Sequence, residues 1–254
     1  MSTSQLEANH VVVGTPVGSV LILSKLLLIS QAVGAALRGR GIDAEAASWA
    51  PGVQRAVHEL TESDIVILFD DLEGRDAVMA TQSLVTQSSA RFLVLTHRPE
   101  GAAWGAMLAS GAAAVMNNES SLAEVVSALM LVRSGSSPFT EVRRSRLVRE
   151  WFRWLAEDDA LRERIADLSP REREVLGLLA AGSRVGDIVE GLGVAETTVR
   201  SHIRSIRRKL DVGSQLAAVA VVHRLGLPDT EVAPEPRDRR GGAPLPPSPR
   251  RPEA

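Results

Sequence analysis

The sequence has no cysteine, which removes disulfides, thiolate metal sites and any cysteine nucleophile together. Its five histidines, His10, His58, His97, His202 and His223, are scattered. None forms the HExxH spacing of a helix-borne zinc site, so no metal or other cofactor is expected. Lysine is nearly missing as well: Lys25 and Lys209 are the only two, and every other basic residue is arginine. Long apolar runs are absent. The most apolar stretch, Val20 to Ile29, is short and carries Lys25 in its middle, whereas a membrane-spanning helix needs about 20 apolar residues. No basic stretch of the export-signal kind precedes it, so a cytoplasmic location without membrane partners is expected. What is present is enough for a core: 44% of the 254 residues are hydrophobic and 24% are charged. That balance excludes a wholly disordered chain and allows one large domain or two small ones.

The net charge of −2 is unevenly spread. From Met1 to Ser137 there are 8 basic and 13 acidic residues; from Leu168 to Leu227 there are 9 basic and 6 acidic. The second segment is the only positive block, and a polyanion would bind there.

Between Val11 and Arg133 short apolar runs alternate with helical stretches. Strands are expected at Val20–Leu23, Ile42–Ala47, Ile65–Phe69, Phe92–Leu95 and Ala113–Met116. Helices are expected at Ile29–Leu37, Val53–Leu60, Ala77–Val85, Ala103–Ala109 and Leu122–Val132. Consecutive apolar residues without alternation suit strands covered on both faces. The expected fold is therefore α/β and doubly wound, of the flavodoxin-like kind, over residues 11–135, with its chemistry at the carboxyl ends of the strands.

After Ser134-Gly135-Ser136-Ser137-Pro138 the pattern turns all-helical. Residues 136–163 read as an amphipathic linker helix that could break near Asp158-Asp159. Val148, Trp151, Phe152 and Leu155 lie along one of its sides. Trp151 and Trp154 either pack against one of the protein's own domains or form a dimer seam. Beyond Pro228, eight of the thirteen prolines fall in the last 27 residues, a composition that cannot build a core and is expected to be disordered.

Residues 164–227 read as an all-α helix-turn-helix unit. Ser169, Pro170 and Glu172 form a helix start with a capping box. That helix stops at Gly182, a short one runs from Val185 to Leu192 and ends at Gly193, and a longer one spans Glu196 to Leu210. At 100° per residue, Val199, Ile203, Ile206 and Leu210 form one stripe of the longer helix. Arg200, Arg204, Arg207 and Arg208 form another, roughly 120° away. The apolar stripe can dock while arginines face a major groove, where a guanidinium fork pairs with guanine O6 and N7 or grips phosphate. A solvated basic face on a docked helix would give the same pattern.

The stretch from Leu168-Ser169-Pro170-Arg171-Glu172-Arg173-Glu174-Val175-Leu176, through Gly182 and Thr198-Val199-Arg200-Ser201-His202, to Arg208-Lys209-Leu210 and the final Ser214–Leu225 helix resembles the LuxR-type (NarL/FixJ) helix-turn-helix of bacterial transcription factors. That resemblance covers about 60 residues without a gap. It implies a dimer bound to inverted half-sites of double-stranded DNA through the Glu196–Leu210 helix. Arg200, Ser201 and Arg204 would then reach base edges. Thr197, His202 and Lys209 would contact phosphate or hold the helix in place, and Arg208 would add to the basic face. Two departures weaken the match. Ala195 stands where the family has a Ser or Thr cap, which costs on the order of 1 kcal/mol of helix stability. Val185-Gly186 replaces an Asn-Lys pair that opens the supporting helix, and Arg184 could substitute for it.

The N-terminal βα pattern, placed before this unit, resembles a response-regulator receiver domain. Such domains carry an acidic pair after the first strand, a phospho-accepting Asp after the third, a Ser or Thr after the fourth and a Lys after the fifth. Here those positions fall on Ser24-Lys25, on Phe69 (or on Asp70, with a slip of one residue), on Thr96 and on Asn118. Lys25 would meet a divalent cation with a positive charge, so the site is expected to be degenerate and not phosphorylated with Mg²⁺. Control would then come from dimerisation, from an unknown partner protein on the Leu122–Val132 helix, or from a small apolar ligand beside Leu26, Leu27 and Phe69. The preferred reading of those side chains, ahead of the ligand, is that they simply fill the emptied site. The functional expectation is a DNA-binding transcriptional regulator without enzymatic activity. The alternatives are an interaction protein that sequesters another regulator, a conventional phospho-activated regulator using Asp70, and a nucleotide-binding enzyme using the Gly14–Ser19 loop, which lacks the Gly-Lys-Ser/Thr of a phosphate loop.

Overall fold

The unbroken apolar runs form a parallel sheet. In the computed structural model, which describes residues 19–49 and 53–227, the strands are β1 (Val20–Ser24), β2 (Ala44–Ser48), β3 (Ile65–Phe69), β4 (Arg91–Thr96) and β5 (Ala114–Asn117). Their order is β2-β1-β3-β4-β5, and every pair is parallel. Val20, Ile22, Ile67, Leu68, Leu93 and Val94 are completely buried. Burial on both faces is what a strand without a polar side requires. The crossovers carry α1 (Leu27–Arg38), α2 (Val53–His58), α3 (Gly74–Thr86) and α4 (Ala102–Ala109), and α5 (Leu122–Arg133) follows the last strand. The register sets Ser24 of β1 beside Phe69 of β3, and Phe69 beside Leu95 of β4. The ends of these three strands therefore lie together. The Gly14–Gly18 part of the loop considered above and the tail from Pro228 lie outside the described residues.

The helix α6 (Glu141–Ala166) runs unbroken through Asp158-Asp159. At that point the Arg75 guanidinium donates to Asp158 at 2.9 Å and to Asp159 at 2.8 Å. Carboxylates held in this way do not compete for the helix's own amides. The described residues divide after Ala160 into two compact units, and α6 runs through that division. Within the first unit Leu147 and Trp151 are buried in the same core as the sheet. Trp151 stacks on Trp154 with ring centroids 5.1 Å apart, so the tryptophans pack inside their own unit. Phe152, expected on the apolar side, is instead 58% exposed. Arg143 and Arg146 both pair with Glu100, and Arg144 donates to the Leu108 carbonyl at the end of α4. Gly105 of α4 is where the two helices touch. A Cβ built there would overlap the Leu147 carbonyl group.

The second unit comprises α7 (Pro170–Ala180), α8 (Val185–Leu192), α9 (Glu196–Leu210) and α10 (Gln215–Leu225) around Leu168, Val175, Leu176, Ile188, Val199, Ile206, Leu210 and Val222, with Ile165 from the end of α6. Ser169 and Glu172 form the expected capping box under Pro170. Gly193, at φ +62°, turns the chain from α8 into α9. Among the described residues no helix is long and apolar enough to cross a membrane.

Two glycine substitutions separate contact from conformational freedom. Gly105→Ala forces α4 and α6 apart and should destabilise the first unit by about 1–3 kcal/mol. Gly186→Ala meets nothing within 4 Å and should stabilise the second by about 0.5–1 kcal/mol. Denaturant melts of the two variants beside the parent protein give both values.

Candidate nucleic-acid interface

Helix α9 has two faces. Val199, Ile206 and Leu210 are buried against α7, α8 and α10, while Ile203 at the edge of that stripe is only half-buried. On the other face Thr197, Arg200, Ser201, Arg204 and Arg208 are exposed, and His202 is half-buried beside them. Arg207 leaves the expected arginine stripe. It is half-buried and donates to the Gly213 carbonyl after the helix. As its sequence implies, α9 begins at Ala195 with no side-chain cap. Arg184, ahead of α8, is exposed.

Lys209 points to the opposite side. Its ammonium donates to Glu172 Oε2 at 2.8 Å and to the Asp167 carbonyl at 3.1 Å. Of the two roles open to Lys209 in the sequence, this geometry provides the one that positions the helix. Glu172 therefore serves twice. Its carboxylate closes the capping box on the Ser169 amide at 2.7 Å and also ties α7 to α9. Burial alone would raise the pKa of that carboxyl. The hydrogen bonds from Lys209, Ser205 and the amide and hydroxyl of Ser169 outweigh burial and hold it at about 2. A second missed contact lies on the exposed face, where Arg200 pairs with Glu196 at 2.6 Å. The four-residue spacing of those two was a legible signal. Nothing in the sequence marked Glu172 as a partner of Lys209.

In the first unit, Ser24, Lys25, Phe69, Asp70 and Asn118 line a cleft of about 90 Å³ at the carboxyl ends of the strands. Thr96 is buried nearby, and its hydroxyl donates to the Asp71 carbonyl at 3.2 Å. Phe69 is the last residue of β3, and Asp70 is the acid that follows it, buried at the strand end. Asp70 Oδ1 accepts from the Leu72 amide at 2.7 Å, and Oδ2 faces both Thr81 and the Lys25 ammonium, the latter at 3.3 Å. Lys25 also lies over the Trp49 ring. These residues do not fit a divalent cation: an ammonium already neutralises the one buried carboxylate, Asp70, and Ser24 brings no charge. The other carboxylate that lines the cleft, Asp71, is exposed and lies against His97. Leu26 and Leu27 do not fill the site. They are 65% and 43% exposed, and only Leu26 borders the cleft. A larger cavity, of about 570 Å³, lies beside α5 between Trp104, Met116, Ser127, Leu131, Phe139 and Arg143.

Residues 166–222 match the model of the LuxR family of bacterial regulatory proteins. The transcriptional regulatory protein LiaR of Bacillus subtilis is 30% identical over 181 residues, spanning 71% of this chain and 83% of that one. This chain belongs to the LuxR family. It is a response regulator of the NarL and LiaR type, and its helix-turn-helix makes it a DNA-binding regulator of transcription. The nitrate/nitrite response regulator NarP of Escherichia coli is 28% identical over 71% of this chain and 81% of its own length. Among solved structures, the RcsB response regulator of Salmonella typhimurium is 19% identical, covering 81% of this chain and 98% of that chain, with a TM-score of 0.45.

The lowered pKa of Glu172 gives the LuxR-type unit an acid sensitivity of its own. A carboxyl at about 2 in the fold, against an ordinary value of 4.5, stabilises fully above about pH 4.5 and loses its effect as pH falls through about 2. The effect is worth about 3 kcal/mol. Protection factors of α7 and α9 amides, corrected for the intrinsic exchange rate at each pH, should fall as pH drops across that window in the parent protein. The Glu172→Gln variant should start less protected at neutral pH and lose most of the pH slope.

Proposed function

We propose that this regulator binds duplex DNA as a dimer through the outer face of α9, under a control that does not use aspartate phosphorylation. One observation carries the DNA part: Arg200, Arg204 and Arg208 stand in solvent on the side of α9 opposite its buried stripe. That is the geometry a helix needs to enter a major groove without unfolding its own unit. In this reading Arg200, Ser201 and Arg204 meet base edges, while Thr197, His202 and Arg208 meet phosphates. Lys209 holds the helix at its angle through Glu172. The segment's surplus of positive charge supports phosphate contact and makes affinity fall with salt.

The dimeric part is supported by the family resemblance and by α1. Leu26, Leu27, Leu28 and Ile29 are all exposed, and no charge occurs from Leu26 to Leu37. Monomers rarely leave such a patch open. Independence from phosphorylation is supported by Lys25. An acceptor carboxylate must be free to attack phosphorus with a metal beside it, whereas the Asp70 side chain is 1% exposed and paired with an ammonium. Control by a partner or a small ligand completes the proposal. The cavity beside α5 has the volume for a ligand, and the cleft at Asp70 is too small for one.

Selection of bound sequences from a random duplex pool should return inverted half-sites. Arg200→Ala should abolish sequence preference, and Arg204→Ala should weaken binding by about tenfold. If both variants bind like the parent, base reading by α9 is wrong. If the parent selects nothing, the sequestering role replaces it. Incubation with acetyl phosphate and Mg²⁺ should leave the intact mass unchanged, and an adduct of about 80 Da on Asp70 would restore the phospho-activated reading.

A further inference from the structure

The pairing on the exposed face of α9 is more specific than a generic surface ion pair. Arg200 donates from both Nε, at 2.8 Å, and Nη2, at 2.6 Å, to the same oxygen, Oε1 of Glu196. The guanidinium plane is thereby held in one orientation. The other carboxylate oxygen, Oε2, and the Nη1 hydrogens are left over, so an acceptor and a set of donors sit side by side at the start of the helix. Both side chains are more than half exposed. Glu196 is also the first residue of α9 behind the uncapped Ala195, where the helix dipole favours a negative charge.

A carboxylate on a DNA-facing surface has a cost, since it repels phosphates wherever the protein lands. It is compensated only where a base offers an amino hydrogen. Cytosine N4 and adenine N6 do so in the major groove, whereas thymine O4 and guanine O6 present lone pairs. Arg200 has the complementary preference for guanine O6 and N7.

We infer that Glu196 is a specificity-determining residue. It orients the Arg200 fork onto a guanine, and its free oxygen requires an amino-bearing base, cytosine or adenine, at one strand position of the adjacent base pair, where guanine and thymine are rejected. This rests on the DNA-reading role proposed above. It gives Glu196 two effects of opposite sign, a lower affinity for DNA of any sequence and a sharper choice at one position.

The test is selection from a random duplex pool with the full chain and its Glu196→Ala, Glu196→Gln and Arg200→Ala variants, together with affinities for one selected and one scrambled duplex. Both Glu196 variants should bind the scrambled duplex more tightly than the parent. Glu196→Ala should flatten the amino-bearing column of the selected motif, and its specific-to-scrambled affinity ratio should fall by about fivefold or more. Glu196→Gln should shift that column toward adenine, which a carboxamide recognises in bidentate fashion. Amide exchange of α9 in each variant separates these effects from loss of the helix. If the Glu196→Ala motif and ratio match the parent while Arg200→Ala has lost its sequence preference, the inference falls and the DNA reading stands. If Arg200→Ala also matches the parent, or the parent selects no motif, base reading itself falls and takes the inference with it.

Discussion

The buried carboxylate of Glu172 is the constraint on which the DNA-facing unit depends. A helix-turn-helix presents its second helix at a fixed angle, and apolar packing alone tolerates small rotations of that helix about its own axis. Glu172 removes this freedom by accepting from the amide of Ser169, the residue that caps α7, and from Lys209, in the last turn of α9, with one carboxyl group. The carboxylate is buried while the Lys209 ammonium keeps access to solvent, so the Glu172 charge would be costly without its partner. That dependence orients the arginine face. It also explains why one of only two lysines in an arginine-rich chain stands where a compact ammonium, and not a planar fork, fits between a carboxylate and the Asp167 carbonyl.

The other lysine has a comparable place in the first unit. Lys25 sits at the end of β1, its ammonium against Asp70 and above Trp49. In receiver domains a metal and a phosphoryl group bring charge to this place and remove it again. Here the counter-charge is covalently attached to the chain. The Asp70 loop has further ties: His97 lies against Asp71, Arg98 against Glu73, and Arg75 reaches Asp158 and Asp159 of α6. The segment after β3 is thus held by buried carboxylates at two places, Asp70 and the Asp158 that Arg75 reaches, while its pairs at Asp71 and Glu73 are exposed.

Much of this was legible in the sequence because it is local. Runs such as Ile65–Phe69 can be buried only as covered strands, and the cap at Ser169 and the stop at Gly193 are written in adjacent residues. The two faces of α9 follow from a period of 3.6, except at Arg207, whose long side chain reaches back to the turn after the helix. The candidate site was harder where it depends on pairs brought together by the fold. A slip of one residue left Phe69 and Asp70 as alternatives, and only the register with Ser24 and Leu95 separates strand end from loop. The Lys25–Asp70 and Glu172–Lys209 contacts join distant segments, so no spacing rule could find them. Leu26 and Leu27 looked like filling for an emptied site because hydrophobicity says that a residue seeks cover without saying where. They turn outward at the start of α1, where Leu26 caps the helix and Leu27 opens it.

The contact at Gly105 bears on how this protein can be taken apart. The Ser- and Gly-rich stretch before Pro138 invites truncation, since it looks like the seam between a sheet domain and a tether. A chain cut there would lose Leu147 and Trp151 from its interior, leave Trp104 without the edge of the Phe139 ring, and expose the bare backbone of α4 to water. A fragment ending at Ala160 keeps that interior whole and retains the carboxylates that Arg75 needs. The tether, in the part that matters for folding, is structural masonry of the sheet domain.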